Sequence, residues 1–336
     1  MIKEGIIELV NGNNLQQDIA EKIFDEIMSG QADDVQKSAF LTALAIKGET
    51  IEETTALANI MRIYCEKLVH KSEVLEIVGT GGDKSNSFNI STTSAFVLSA
   101  AGISVAKHGN RAASSKCGAA DVLEALGVKL DISPEKSSKV LDETGMCFLF
   151  AQKYHSAMRH VGAIRKELGF KTVFNLAGPL SNPALPEYQL LGVYSEELLE
   201  PMAKVLNNID VKRGMVVYGK DCLDEISLSD ETAICEFDGD KIKKYVISPE
   251  QYGFNRCQKS DLTGGNPEEN AEITRNILKG EKSARRDSVV LNSMFAYHIV
   301  HPETDLNDAK KIIEDTIDSG KAFEKLKQFV NATRED

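Results

Sequence analysis

The chain has 336 residues, 42% hydrophobic and 27% charged, which excludes a disordered or low-complexity polymer and suffices to bury two lobes. Its formal net charge of −12 argues against a nucleic-acid partner, since binding a phosphate backbone needs clustered Lys and Arg that displace counterions. No run of about 18 apolar residues occurs, MIKEGIIELV lacks a signal-peptide core and cleavage site, and the six cysteines are scattered without a C-x-x-C; a cytoplasmic chain with reduced thiols and no membrane partner is expected.

In chain order, the first 70 residues read as helices. In NLQQDIAEKIFDEIMSG, Leu15, Ile19, Ile23 and Ile27 recur every four residues and draw one apolar stripe. A second helix is expected over DDVQKSAFLTALAIKG, ending at Gly48. A third starts at Thr50, where T-I-E-E places Glu53 for a capping box. No convincing strand precedes Val74. From there short apolar runs alternate with helical segments: VLEIV, STTSAFVLSAAG, ISVAKHG, CGAADVLEALG, CFLFA, SAMRHVGAIRKELG, LLGVYS, EELLEPMAKVLNNI and GMVVYG. Such alternation implies βαβ units and a largely parallel sheet covered by helices. CEFDGDKIKKYVI reads as a hairpin around Asp238-Gly239, after which the pattern returns mainly to helices. The change of periodicity divides a helical lobe, 1–70, from an α/β lobe, 71–336, with no flexible tether between them. Parallel α/β sheets bind ligands beyond the C-terminal ends of their strands, so the loops after VLEIV, ISVA and GMVVYG are the ones to read.

The first loop, V-G-T-G-G-D-K-S-N-S-F-N-I-S-T, spans Val78 to Thr92. It is not a Walker A loop, because Asp83 stands between Gly82 and Lys84 and position 77 is Ile. It is not a dinucleotide fingerprint, because Lys84 occupies the third glycine position. Gly79, Gly81 and Gly82 still permit positive φ and close approach of an anion, and Asn89, Ser91 and Thr92 lie where a helix begins. A diphosphate fits that chemistry; a tight β-to-α turn with an N-cap is the plain alternative. Asp83 in such a loop calls for a metal ion or a ribose hydroxyl opposite it. The second loop, K-H-G-N-R at 107–111, gathers two cations, an imidazole and an amide, which an ordinary polar surface loop also does. The third, D-C-L-D-E-I-S, sets Asp224 beside Glu225, either a Mg²⁺ seat or a solvated acidic turn.

Six ordered segments together resemble the anthranilate phosphoribosyltransferases, within the nucleoside-phosphorylase-like transferases. They are G-T-G-G-D…F-N-I-S-T (Gly79 to Thr92), K-H-G-N-R (Lys107 to Arg111), A-D-V-L-E-A-L-G (Ala120 to Gly127), H-x-A-M…V-x-x-x-R-K-E-L-G (His155 to Gly169), F-N-L-x-G-P-L-x-N-P (Phe174 to Pro183) and L-D-E-x-S (Leu223 to Ser227). The resemblance covers nearly the whole chain and weakens after about residue 280. It implies an α/β protein with a small all-helical lobe, joined by a helix near 155–185, and a larger lobe with a central, mostly parallel sheet. It also implies a homodimer formed through the helical lobe. The implied reaction, a step of tryptophan biosynthesis, joins the anthranilate amine to the ribose of 5-phosphoribosyl 1-pyrophosphate with release of pyrophosphate.

By the same resemblance, 5-phosphoribosyl 1-pyrophosphate contacts fall on Gly79, Gly82, Asp83, Ser87, Asn89, Ile90, Ser91, Thr92, Lys107, His108, Gly109, Asn110, Arg111, Ala112, Ala113, Ser114, Ser115 and Ala119. Anthranilate contacts fall on Gly79, Asn110 and Arg165, with Gly178 along the approach channel. The ligands of Mg²⁺, expected as two ions, fall on Ser91, Asp224 and Glu225. Lys107 would act electrostatically, and His108 is the candidate to take the amine proton. From the sequence alone, Arg165 could simply border the buried side of its helix. Ser87 stands for the family's usual Thr, Lys84 for Gly, Cys117 and Ala119 for small hydroxyl residues, and Gln152 and Ser156 for prolines of the anthranilate channel; these departures bear on acceptor specificity. A pyrimidine nucleoside phosphorylase would carry K-x-S-x-G-G-V-G-D-K in place of G-T-G-G-D-K-S. A non-catalytic nucleic-acid-binding relative would carry a basic surface that this acidic chain lacks.

Overall fold

A buried carboxylate ties together the first helices of the computed structural model, which describes residues 1–112 and 115–335. These helices are α1 (Ile2–Val10), α2 (Gln17–Met28), α3 (Asp34–Lys47) and α4 (Ile51–Tyr64). Glu53, fully buried, closes the expected capping box with Thr50 at the start of α4. It also accepts the Leu15 N–H at 2.9 Å and pairs with Lys47 at 2.8 Å, so its charge is compensated. Gly48 ends α3 with a φ of 87°, which a side chain would resist. The α2 stripe turns relative to expectation: Ile23, Phe24, Ile27 and Met28 are buried while Ile19 is only partly so. A four-residue spacing drifts off a 3.6-residue turn, and Phe24 takes the place the drift opens. Ile23, Phe24, Phe40, Leu41 and Leu57 share their core with Val161 and Ile164 of α9 (Arg159–Leu168) and Phe174 and Ala177 of α10 (Phe174–Leu180).

The larger lobe alternates β1 (Leu75–Gly79), α5 (Ile90–Ala100), β2 (Val105–Gly109), α6 (Ala119–Leu126), α7 (Pro134–Thr144), β3 (Met146–Phe150), the short α8 (Ala151–Tyr154), β4 (Tyr188–Gly192), α11 (Leu199–Asn208) and β5 (Arg213–Gly219). The hairpin of β6 (Thr232–Asp238) and β7 (Lys241–Ile247) turns at Gly239, as the sequence predicts. Four helices follow: α12 (Pro267–Leu278), α13 (Ala284–Val300), α14 (Leu306–Asp318) and α15 (Lys321–Arg334). A reading based on apolar runs does not single out α1, α7 or α8, although Ser133 caps α7 and Pro134 opens it. The one helix expected near 155–185 is two, α9 and α10, separated at Gly169.

The seven strands form one sheet in the order β3-β2-β1-β4-β5-β6-β7, parallel from β3 to β5 and antiparallel beyond. Successive residues face opposite layers. Leu190, Met215 and Val217 pack with Phe96 of α5, Phe295 of α13 and Phe329 of α15, while Leu191 and Val216 pack with Met202 and Leu206 of α11 and Leu180 of α10. Chain order runs outward from β1 to β3 and then jumps back to β4 on the other side of β1. That reversal leaves a crevice above β1 and β4, where parallel sheets receive ligands.

Candidate functional site

Gly79 and Gly192 end β1 and β4 as register partners, and the β5–β6 loop lies directly on them. A Cβ on Gly192 would fall 1.6 Å from the Asp224 carbonyl oxygen, and one on Gly79 would fall 2.3 Å from Asp224 Oδ2. Neither glycine has a positive φ, so the demand is for space, which only the absence of a side chain supplies. The glycine loop then curls over this seat: Gly81 and Gly82 adopt φ of 71° and 75°, and the Gly81 N–H donates to Asp224 Oδ2 at 2.6 Å. Lys84 and Asn86 also adopt left-handed conformations, at 60° and 53°. Asp83 accepts from the Ser85 N–H at 3.1 Å, and its other oxygen lies 3.5 Å from the Asp224 amide.

The N-terminus of α5 meets the same point. Asn89 precedes the helix without a side-chain cap, and the Ser91 N–H donates to Glu225 Oε1 at 3.1 Å while its hydroxyl donates to the same oxygen. Glu225 therefore occupies the positive end of a helix that is buried along nearly its whole length. Burial raises the Asp224 carboxyl well above its ordinary range, with the neighbouring charges of Asp83 and Glu225 adding to it. Burial likewise raises Glu225 to about 7, against the opposing hydrogen bonds from Ser91. Two buried carboxyl groups and the partly exposed Asp83 thus share an oxygen-rich corner that calls for a cation. No ready-made cage of three His, Cys, Asp or Glu ligands exists among the described residues. The donor set matches Mg²⁺, which uses one or two carboxylates and completes its shell with phosphate and water.

At the end of β2 the cations are already partnered. Lys107 is buried and donates to the Ile77 carbonyl at 2.7 Å; burial lowers its pKa, opposed by Glu225, Glu76 and Asp224. Arg111 pairs with Asp121 at 3.1 Å and with Glu124, its guanidinium 5.5 Å from the Phe150 ring centroid. The polar cluster expected at K-H-G-N-R thus holds itself together. Asp121 accepts the Ala112 and Gly118 amides at 2.9 Å each, fixing both ends of the loop. Cys117, one of the family departures, reaches Asn89 Oδ1 at 3.4 Å, so a thiol stands in for a hydroxyl at the start of α5. Gln152, another departure, donates to Asn110 Oδ1 at 3.3 Å, and the Arg111 N–H donates to the same oxygen at 2.8 Å. With its oxygen doubly engaged, Asn110 keeps its amide N–H groups for a ligand.

The rings of His108 and His155 lie 5.0 Å apart between centroids, tilted by 57°. His108 Nδ1 lies 3.1 Å from the Gly178 carbonyl, which can only accept; Nδ1 therefore carries the proton and the buried Nε2 is left with a free lone pair. Burial lowers His108 to about 3 and His155 to about 4. Both rings stay neutral in the folded chain, whereas an unfolded imidazole protonates near 6.5. As pH falls below about 6.5 the unfolded chain takes up protons that the folded chain refuses, so stability is lost with falling pH. For His155 the loss at a pH of about 5 is about 2 kcal/mol. His155→Gln therefore flattens the fall in Tm between roughly pH 7.5 and 5. Melting curves at the two pH values check this, and an unchanged slope would refute it.

Arg165 stands on α9 across the crevice, half-buried, with its guanidinium carbon 5.6 Å from the Phe174 ring centroid. Among the described residues it makes no salt bridge, and burial lowers its pKa. A half-buried cation without a counter-ion, facing a cavity, suits a carboxylate ligand.

These elements enclose one cavity of ≈ 740 Å³. Its lining brings together Gly79, Gly82, Asp83, Ser87, Asn89, Ile90, Ser91, Thr92, Lys107, His108, Gly109, Asn110, Arg111, Ala112, Ser115, Ala119, Arg165, Gly178, Asp224 and Glu225. Ala113 and Ser114 lie outside the described residues. The lining adds residues that sequence reasoning passes over: Met61, Met158, Phe174, Lys171 and Tyr194. Lys171 carries a faint signal, a lone cation just past Gly169, the helix-ending glycine of α9.

The α/β domain model of the glycosyl transferase family matches residues 71–323, and the helical bundle domain model of that family matches residues 3–65. The chain is 56% identical to an anthranilate phosphoribosyltransferase of Methanobrevibacter smithii over 333 residues, covering 99% of each. The crystal structure of anthranilate phosphoribosyltransferase from Thermus thermophilus superposes with a TM-score of 0.93 at 40% identity, covering 98% of this chain and 99% of that one. The Saccharomyces cerevisiae enzyme in complex with PRPP and Mg superposes with a TM-score of 0.92 at 27% identity, covering 99% and 98%.

Proposed function

We propose a division of labour among these residues from one premise: the chain belongs to the anthranilate phosphoribosyltransferase family. It transfers the phosphoribosyl group of 5-phosphoribosyl 1-pyrophosphate to the amino group of anthranilate, giving N-(5-phosphoribosyl)anthranilate and pyrophosphate in tryptophan biosynthesis. The observation that carries the reading at residue level is the convergence of the glycine loop, the start of α5 and Asp224-Glu225 on one corner, with the unpaired Arg165 opposite.

The diphosphate lies along the loop of Gly79, Gly82 and Asp83 and the segment from Ser87 to Thr92, with the ribose and its 5-phosphate toward residues 107–115 and Ala119. The Gly81 and Ser91 N–H groups are engaged by Asp224 and Glu225. Loop amides without such a partner, those of Gly82 and Asp83 among them, are therefore the ones to stabilise the charge that grows on the leaving group. Lys107, buried beneath this corner, contributes its field without touching solvent. Ser91, Asp224 and Glu225 would hold Mg²⁺, on this reading two ions, and the metal would supply electrostatic stabilisation of negative charge on the pyrophosphate. Arg165 and the Asn110 amide N–H groups receive the anthranilate carboxylate, Gly178 leaves open space along the approach of the ring, and Gly79 contributes main chain at the reacting end.

An aromatic amine is neutral at about pH 7 and needs no base to attack. His108, the candidate to take the proton shed afterwards, is held neutral by burial with a pKa of about 3 and is a poor acceptor, so on this reading the proton leaves with solvent. Alignment of the two substrates across the crevice supplies the rest of the rate. Residues 1–70, with the segment near 155–185, form the lobe that carries the acceptor side, and residues 71–336 form the phosphoribosyl side. Two copies pair through the helical lobe, a reading supported by the exposed Ile7, Val10, Val35 and Ile46 of α1 and α3; light scattering that gives a monomer mass would end it. Among the described residues no helix is long and apolar enough to cross a membrane, and the enzyme works in the cytoplasm on this reading.

The test is loss of anthranilate fluorescence on addition of 5-phosphoribosyl 1-pyrophosphate and Mg²⁺. Turnover of thymidine with phosphate, and none of anthranilate, would favour a pyrimidine nucleoside phosphorylase instead.

A further inference from the structure

The charge of a departing diphosphate exceeds what the glycine loop itself neutralises, because Lys107 and Arg111 are committed to protein partners. A further cation reaches the loop from the opposite lobe. Lys171 lies in the segment between α9 and α10, just past Gly169, whose φ of 67° ends α9. A Cβ placed on Gly82 would lie 3.5 Å from Lys171 Cε and 3.6 Å from its Nζ, so the side chain spans the crevice to the glycine loop. Its ammonium rests 3.2 Å from the ring centroid of Tyr194, beyond the end of β4. Among the described residues Lys171 makes no salt bridge and no side-chain hydrogen bond, although it shares the cavity wall with Asp83 and Asp224.

The geometry points to Lys171 as a further substrate-binding residue, which donates to the diphosphate at the glycine loop. An aromatic face holds a cation without hydrogen-bonding its N–H groups, so all three donors remain for an anion. Tyr194 thus parks the ammonium beside the loop, and the diphosphate draws it across. Partial burial and the nearby Lys84 lower the Lys171 pKa, against the opposing charges of Asp224 and Asp83. Lys171 links α9, which carries Arg165, to α10, which carries Gly178, so the lobe that receives the acceptor also grips the leaving group.

The inference rests on the reaction proposed above, and calorimetry with pyrophosphate and Mg²⁺ on the full chain separates the two. Lys171→Ala should weaken pyrophosphate binding about tenfold, and Lys171→Arg should restore it to within about threefold. The anthranilate KM should stay within about twofold of wild type, since Arg165 and Asn110 are untouched. Wild-type pyrophosphate affinity in Lys171→Ala, or equal weakening of pyrophosphate and anthranilate, overturns the inference. A wild-type chain that binds pyrophosphate through Lys171 yet leaves anthranilate unconverted upholds the inference and overturns the proposed reaction.

Discussion

Asp224→Asn lowers turnover at saturating substrates by roughly 10²- to 10³-fold, because it removes one of the carboxylates assigned to the metal. The same change stabilises the metal-free fold. Asp224 is buried beside Asp83 and Glu225, and its raised pKa records the cost of ionising it there. An amide keeps the acceptor for the Gly81 N–H and removes a charge, which favours the folded state by about 1 kcal/mol. Activity and Tm should therefore move in opposite directions. A magnesium titration and a melting curve on the same preparation check this; wild-type turnover, or lost activity with a lowered Tm, would sink the assignment.

Arg165→Ala raises the anthranilate KM about hundredfold, the cost of stripping a half-buried carboxylate of its partner. Pyrophosphate binding should not change, because Arg165 faces the acceptor side. Arg165→Lys recovers only part of the loss, since an ammonium cannot offer the planar fork that a carboxylate accepts. Steady-state kinetics with each substrate varied in turn decide the matter; an effect confined to 5-phosphoribosyl 1-pyrophosphate would remove Arg165 from the acceptor site.

The fold is legible in the sequence wherever a local rule suffices. Thr50 and Glu53 announce the start of α4, the Asp238-Gly239 turn announces the hairpin, and strand–helix alternation announces the parallel sheet. The helix α1 escapes because nine residues give too few turns for a firm stripe, and α7 because its composition is polar. The anion-binding corner is partly legible, since glycines, hydroxyls and paired carboxylates carry their chemistry locally. Their convergence is not, because Gly192 and Asp224 meet Gly79 only through sheet pairing. Arg165 stands out through a motif alone; nothing in SAMRHVGAIRKELG distinguishes a ligand from a border residue. The internal pairing of Lys107 and Arg111 is invisible for the same reason, their partners Ile77, Asp121 and Glu124 being set by the fold.

The paired glycines at the ends of β1 and β4 make the strand ladder a datum for the reacting centre. Asp224 rests on main chain with no intervening side chain to flex, so its position inherits the stiffness of the sheet's middle. Any disturbance that shears those two strands, even one introduced at a remote edge, would be felt as misalignment of the chemistry before it was felt as unfolding.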